Sequence, residues 1–484
     1  MKIVFRVDSS KDIGIGHLSR CLKLSNSFKN KKIFFVTKKL EGNANFLLNK
    51  NYKILYINSS NEKDDAKKFL KILKDKIKFN VFEDRVIMDN YSLKYEWEKI
   101  IKKKFIKLIT IDDRIRSSKA DYYINTNWFF EKNTKLSNLK FDNLLLGPLY
   151  SLINFKRIKN SKKFVVIYFG SNDKYNLTTQ SLLNLIKIKE KKVLIILGHN
   201  FKFKKKLINI IGDNRNIKII DKYQNLENIF SQTKIFIGAG GSITNERLFY
   251  KIPSIICPVV QNQNLISKLL HVHKLQISLK KKKFMNFNKW QNAFNELKKN
   301  RATFFDRMNF LSIDKSLARI SNLFSKGNLP FQLINFSRIH KNIIYNFVNQ
   351  PDSIQSRFSN RYIGINEHNK FISNLNTGRS ERLFLGIYNK IISGFIRFSL
   401  VKKNLVLIDI YCCPTVRGKD FSKKMLFSGI KNILRTNKNV HFMAKVKKDN
   451  KKSLNFFKKN FKTFKVKDDI YEFENELLKT VDYY

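Results

Sequence analysis

From residue 1 to about 275, short apolar runs alternate with amphipathic helical stretches, and the alternation occurs twice. The first series has strand-like runs at Ile3–Val7, Lys32–Val36, Lys53–Ile57, Val86–Met88 and Ile106–Ile111. The second has them at Phe164–Phe169, Lys192–Leu197, Ile217–Ile220, Ile235–Ile237 and Ser254–Cys257. Strand-helix-strand alternation builds parallel sheets through right-handed crossovers. Two series predict an α/β chain with two Rossmann-like domains, residues 1–150 and 151–328, and a cleft between them. The join falls near Gly147-Pro148-Leu149-Tyr150.

Residues 276 to 328 read as helical and lysine-rich, and Gly327-Asn328-Leu329-Pro330 reads as a linker. After it the pattern changes. Leu383–Tyr388, Ile391–Leu400 and Asn404–Tyr411 read as a meander of strands with short turns. A helix at Lys423–Leu434, a strand at Val440–Val446, a helix at Lys451–Lys459 and terminal strands follow. Residues 331–484 are therefore expected to form an α+β domain. A chain of 484 residues is too long for one ordinary core and accommodates three such units.

The formal charge of +57 invites a nucleic-acid reading, but its distribution argues against one. Lysines are scattered through every helix and loop, as at Lys202–Lys206, Lys280–Lys283 and Lys447–Lys452, and form no basic stripe interleaved with stacking aromatics. A solvated surface that helps attract an anionic substrate fits better. The N-terminal run reads as a first strand and not a signal peptide, and no apolar segment approaches the roughly 20 residues of a spanning helix. Cys21, Cys257, Cys412 and Cys413 lie in no metal-ligand spacing, so a reducing, cytoplasmic setting is expected. The expected assembly is a monomer or weak homodimer, without nucleic-acid or membrane partners.

Two glycine-rich turns carry the chemistry. Ile13-Gly14-Ile15-Gly16-His17 joins the first strand to a helix, with Asp8 before it and Arg20 one turn on. A helix N-terminus at such a turn attracts negative charge. His17 beside it is a candidate general base, with Arg20, Asp8 and Tyr91 as candidates to orient it or a sugar. Gly238-Ala239-Gly240-Gly241-Ser242 follows another strand and precedes a helix carrying Thr244, Glu246 and Arg247. Its amides are suited to a diphosphate, Glu246 to the hydroxyls of a ribose, and Asn262 and Gln263 to a sugar. A dinucleotide cofactor is excluded: Ser19 stands where the fingerprint needs its third glycine, and no acidic residue clearly ends the second strand. Asp112-Asp113 reads as a solvated or salt-bridged strand end, not a metal site. His199 reads as structural.

The ordered set resembles the UDP-2,4-diacetamido-2,4,6-trideoxy-β-L-altropyranose hydrolases of pseudaminic acid synthesis, which are similar in fold to GT-B glycosyltransferases of the MurG kind. The matching residues are Asp8 with Ile13-Gly14-x-Gly16-His17 and Arg20, Asp89-x-Tyr91, Ile111-Asp112-Asp113, Asn125-x-Asn127 and Leu146-Gly147-Pro148-x-Tyr150. They continue through Gly170, Asp173 and Asn176, then Ile237–Ser242, Glu246-Arg247, Pro253 and Asn262-Gln263. The chain departs from the family at Ser171, where a second glycine is usual, and at Ile243-Thr244-Asn245, where Ser-Thr-Trp is usual. The resemblance implies metal-free hydrolysis at the anomeric carbon, releasing UDP and free sugar with inversion. His17 would activate water, while Gly240, Gly241 and Ser242 hold the departing phosphates.

In the tail, Cys412-Cys413-Pro414-Thr415 leads into Val416-Arg417-Gly418-Lys419-Asp420-Phe421-Ser422 and a helix. This resembles the acetyl-coenzyme-A loop of GNAT N-acetyltransferases. Asn450-x-x-Ser453 matches a later cofactor-side motif. Asn349-x-Pro351, Arg357-Phe358 and His368 match sugar-amine acetyltransferases. The resemblance implies acetyl-CoA as cofactor and a UDP-amino sugar as acceptor. Asp420 replaces the usual central glycine, and Phe456 and Phe457 stand near the place of the customary tyrosine acid. The competing classes are a glycosyltransferase using the same UDP-sugar cleft, a basic nucleic-acid-binding protein, and a tail that only supports dimerisation.

Overall fold

In a computed structural model, the described residues are all except 29, 44, 46–47, 49–51, 115, 128–142, 154–161, 171, 199–200, 221–225, 242, 262, 326–329, 378–379, 438 and 478–484. Ser171, His199, Ser242, Asn262 and the linker residues 327–329 therefore lie outside the described residues. The chain forms two compact units, one spanning Met1–Phe129 and Leu145–Asp314, the other including Lys315–Tyr484.

The first unit contains two sheets. One is built from β1 (Lys2–Val7), β2 (Lys32–Thr37), β3 (Lys53–Tyr56), β4 (Arg85–Asp89), β5 (Leu108–Ile111), β6 (Tyr122–Asn125) and β7 (Leu144–Leu146) in the order β3-β2-β1-β4-β5-β6-β7. All pairs from β3 to β6 are parallel. Both faces of a parallel sheet must be covered, which explains why its strands read as nearly unbroken apolar runs. On one face Val4, Val36, Val86, Met88 and Leu108 pack against Phe69, Trp97 and Ile101 from two amphipathic helices. Asn61 starts the first of these by accepting bonds from the Lys63 and Asp64 amides.

The other sheet comprises β8 (Phe164–Tyr168), β9 (Val193–Ile196), β10 (Ile217–Ile220), β11 (Thr233–Gly238), β12 (Ser254–Ile256) and β13 (Ile277–Ser278), ordered β10-β9-β8-β11-β12-β13. Every pair is parallel. Each sheet thus begins in its middle, runs to one side and then returns to the other, as in doubly wound nucleotide-binding folds. The switch falls between β1 and β4 in one sheet and between β8 and β11 in the other. In folds of this kind the loops leaving the carboxyl ends of the strands diverge at the switch point and leave a crevice.

The second unit is an α+β fold. Its sheet runs β14 (Phe331–Asn335), β15 (Glu381–Tyr388), β16 (Ile391–Lys402), β17 (Leu405–Cys412), β18 (His441–Lys447), β20 (Ile470–Leu477) and β19 (Phe461–Lys467). β14 to β17 are antiparallel. The helix Phe421–Thr436 crosses over to make β17 and β18 parallel. That pairing covers only Leu405–Leu407 against His441–Met443, so the rest of β17 departs from β18. The sequence reading carried the second segment to residue 328, but the helix Ser316–Ser321 goes with the tail. Its Leu317 and Ile320 are buried, and Arg319 donates to the Ile392 carbonyl of β16 at 3.5 Å.

Candidate functional site

His17 is the second residue of the helix Gly16–Ser25. Its imidazole is buried, and Nδ1 lies 2.6 Å from Oδ1 of Asp89, the last residue of β4. The β1–β4 neighbourhood makes this contact possible: β1 delivers the helix and β4 delivers the carboxylate at the same sheet edge. With Nδ1–H donated to Asp89, the lone pair sits on Nε2. Nε2 has no hydrogen-bond partner among the described residues. The edge of the Tyr91 ring closes one side, with ring centroids 4.3 Å apart.

Asp89 is fully buried and holds two partners. Arg20 donates to it from Nε at 2.5 Å and from Nη2 at 2.6 Å. Burial alone would raise its pKa, but Arg20, and after it His17, outweigh burial and hold the carboxyl well below the usual carboxylate range. Nη1 of Arg20 reaches Asp113 at 2.7 Å, and the Tyr91 hydroxyl donates to the same Asp113 oxygen at 2.6 Å. Burial, together with the Asp113 charge, pushes the Tyr91 phenol well above its ordinary value. Arg20 and Tyr91 therefore both contact His17. Asp112 pairs with Arg114 at 3.0 Å and Arg116 at 2.7 Å, so both carboxylates of this strand end are salt-bridged. Among the described residues no group of three or more His, Cys, Asp or Glu side chains could hold a metal ion.

Two other candidates are engaged elsewhere in the fold. Asp8 does not orient His17. It is clamped by Arg6 at 2.6 and 3.0 Å and accepts from Asn90 and the Lys38 amide, each at 2.7 Å. Arg6 and these neighbours hold it below the ordinary carboxylate range despite burial, and its role is to fix the end of β1. The Gly14 amide is taken up within its own turn. Its N–H donates to the Ser10 carbonyl at 2.8 Å, and the amides of Asp12 and Ile13 donate to the Ser10 hydroxyl. Gly14 serves the turn through its φ of +77°. The anion-seeking amides are those of the first helical turn, Gly16, His17 and Leu18, which have no intrahelical acceptor.

The second glycine turn leaves β11 at the other switch point. A Cβ on Gly238 would come within 2.0 Å of the Tyr168 carbonyl of β8, and one on Gly240 within 2.7 Å of the Ser267 hydroxyl. Gly238 packs against the β8 backbone and the Phe236 ring, and Gly240 against side chains. The Thr244 hydroxyl donates to the Gly241 carbonyl at 2.7 Å and so caps the turn. Gln263 accepts from the Val259 amide at 3.0 Å and stands beside Gly241. Glu246, on the helix Thr244–Phe249, is buried and accepts from Nζ of Lys23 at 2.5 Å. Lys23 is six residues beyond His17 on the same helix, about 9 Å of rise. Thr126, Asn127 and Pro148 share a pocket with Thr244, Asn245, Leu248, Ile266 and Leu270. His17 does not line it.

In the tail, most of the expected cofactor side chains are engaged within the fold. Arg417 pairs with Asp352 and donates to the Cys412 carbonyl at 3.1 Å. Lys419 donates to the backbone carbonyls of Asn322 and Ser325. Ser422 contacts the Cys412 thiol at 3.0 Å, a thiol that burial pushes up to about 12. Val416 and Phe421 are core residues, and Asn450 caps the helix Lys451–Asn460 by accepting from the Ser453 amide. What the loop offers an anion is backbone: Gly418 at φ +71°, and the amides of Phe421 and Ser422, which have no intrahelical acceptor. Asp420 adopts φ +53° and makes no side-chain cap, a conformation that glycine would take without steric cost.

No protein-family model matches the chain. It is 28% identical over 278 residues to an uncharacterised protein of Methanocaldococcus jannaschii, covering 53% of this chain and 55% of that protein. It is 26% identical over 271 residues to the UDP-2,4-diacetamido-2,4,6-trideoxy-beta-L-altropyranose hydrolase of Campylobacter jejuni, covering 54% of this chain and 93% of that protein. Among solved structures, MurG of Acinetobacter baumannii aligns with 67% of this chain and 99% of its own at 12% identity and a TM-score of 0.49. The N-acetyltransferase PseH of Campylobacter jejuni aligns with 30% of this chain and 97% of its own at 21% identity and a TM-score of 0.24. The chain is thus similar over about half its length to the altropyranose hydrolase.

Proposed function

We propose that the first unit hydrolyses a UDP-linked diacetamido-trideoxy-hexose at its anomeric carbon, within pseudaminic acid synthesis. The buried Asp89–His17 pair, with Nε2 left unpartnered, carries this reading. Water gives a proton to Nε2 as its oxygen bonds to the anomeric carbon, and the bond from that carbon to the UDP oxygen breaks. Asp89 holds the ring in one tautomer and stabilises the imidazolium that forms. UDP is a weakly basic leaving group, so the amides at Gly240 and Gly241, and those of the first turn after Gly16, supply what it needs. Ser242 and Asn262 are proposed as further contacts from the sequence. Attack opposite UDP inverts the centre, and no metal is required.

We further propose that the tail acetylates the amine of the preceding UDP-amino sugar. The amine would attack the thioester carbonyl of acetyl-CoA, forming the amide as the C–S bond breaks, and coenzyme A would leave as the thiol with the proton the amine gives up. Gly418 and the amides of Phe421 and Ser422, at the point where β17 has left β18, are the groups suited to its pyrophosphate. A cytoplasmic site of action agrees with both substrates. The test is incubation with UDP-2,4-diacetamido-2,4,6-trideoxy-altrose in ¹⁸O-labelled water. The expected result is UDP release with label in the sugar, nearly abolished in His17→Ala. Label in UDP, or equal release by the variant, rejects the mechanism.

A further inference from the structure

Lys23 and Glu246 stand 223 residues apart in sequence, on helices that follow different sheets, and meet at 2.5 Å. The Glu246 side chain is only 5% exposed, against 24% for Lys23. Its Oε1 accepts from the lysine, while Oε2 is buried with no hydrogen-bond partner among the described residues. A buried carboxylate oxygen without a donor is costly, because it has lost water and gained nothing. Native folds seldom keep such an atom unless something else supplies the donor. The neighbouring Thr244 hydroxyl cannot, since it donates to the Gly241 carbonyl.

We propose that Lys23 is a positioning residue that gives the nucleotide subsite its preference for ribose over deoxyribose. This deepens the UDP-sugar reading above and rests on it. The ammonium pins Oε1 and leaves Oε2 as the acceptor for a ribose hydroxyl. Because Lys23 lies on the helix that begins at His17, the same contact sets the distance between the nucleotide end and the reacting end of the substrate. Without the lysine, the carboxylate loses its anchor and the hydroxyl loses a fixed acceptor.

The experiment is calorimetric titration of the full chain with UDP and with 2′-deoxy-UDP, for wild type, Lys23→Met and Lys23→Arg. Wild type is expected to bind UDP about tenfold or more tightly than the deoxy compound, the worth of a hydrogen bond to a charged group. Lys23→Met is expected to lose most of that gap, with KM for the UDP-sugar raised and kcat changed much less. Lys23→Arg is expected to restore the gap. An unchanged gap in Lys23→Met overturns the inference alone, as does tighter UDP binding by that variant. Failure of wild type to bind UDP overturns the nucleotide-sugar reading and this inference with it.

Discussion

Nδ1 of His17 and Oδ1 of Asp89 stand 2.6 Å apart across 72 residues of sequence. The carboxylate fixes the tautomer and leaves the other nitrogen to act. Replacing Asp89 by Asn offers an amide that can equally face Nδ1 with its N–H₂ and force the proton to Nε2. Asp89→Asn is expected to lower the rate of UDP release by about 10³–10⁴-fold. UDP affinity, measured by calorimetry, is expected to stay within a few-fold. A rate within tenfold of wild type would remove Asp89 from the mechanism.

The same pair has a pH signature. The Asp89 carboxyl titrates below its ordinary value because Arg20 and His17 favour the charged form over the effect of burial. A depressed folded-state pKa means the pair stabilises fully above the unfolded value of about 3.9 and loses that contribution as pH falls through the folded value. Asp89→Asn is expected to be less stable than wild type at pH 7 by about 3 kcal/mol, with the gap narrowing below about pH 4. Thermal unfolding followed from pH 7 to pH 3 checks this. Parallel curves for the two proteins contradict it.

The second glycine turn makes a steric prediction. Gly240→Ala places a methyl 2.7 Å from the Ser267 hydroxyl and 3.3 Å from Cγ2 of Ile256. The expected cost is about 1–3 kcal/mol of stability from overpacking. UDP affinity should fall as the turn shifts. Removing the hydroxyl in Gly240→Ala/Ser267→Ala should recover most of the melting temperature. If the single variant melts like wild type, the turn is looser than described.

Asp420 offers the test of the tail. It occupies a left-handed conformation at φ +53° without a capping bond, beside the amides suited to a pyrophosphate. Asp420→Gly relieves the conformational cost and removes a negative charge. The full chain carrying it is expected to bind coenzyme A several-fold more tightly than wild type, with the tail at least as stable. Weaker binding would mean that the carboxylate itself contributes to the site.

The strands legible in the sequence were the buried parallel ones and the antiparallel meander β15–β17. Runs such as Ile3–Val7 and Ile235–Ile237 are apolar on both faces and have few alternatives. β6 passed as a motif, Asn125-x-Asn127, because Tyr122, Tyr123 and Asn125 do not form an apolar run. β13 has two residues and β7 three, too few to show a period. β14 is an edge strand with no fully buried residue. At the site, His17 was legible because glycines and a helix start surround it in sequence. Asp89 was visible only as part of Asp89-x-Tyr91, since its tie to His17 arises from β4 lying next to β1. The Ser10 hydroxyl capturing two amides, and Lys23 reaching Glu246, are likewise products of the fold.

Gly238 has the Tyr168 carbonyl where a side chain would begin. The β8 main chain, together with the Phe236 ring 2.7 Å from the same point, therefore decides where the turn departs from its sheet. Substitutions further along the turn are free to alter which anion is gripped, while the point of departure stays put. The nearness of β8 at that spot acts as a fixed hinge pin for whatever chemistry the turn acquires.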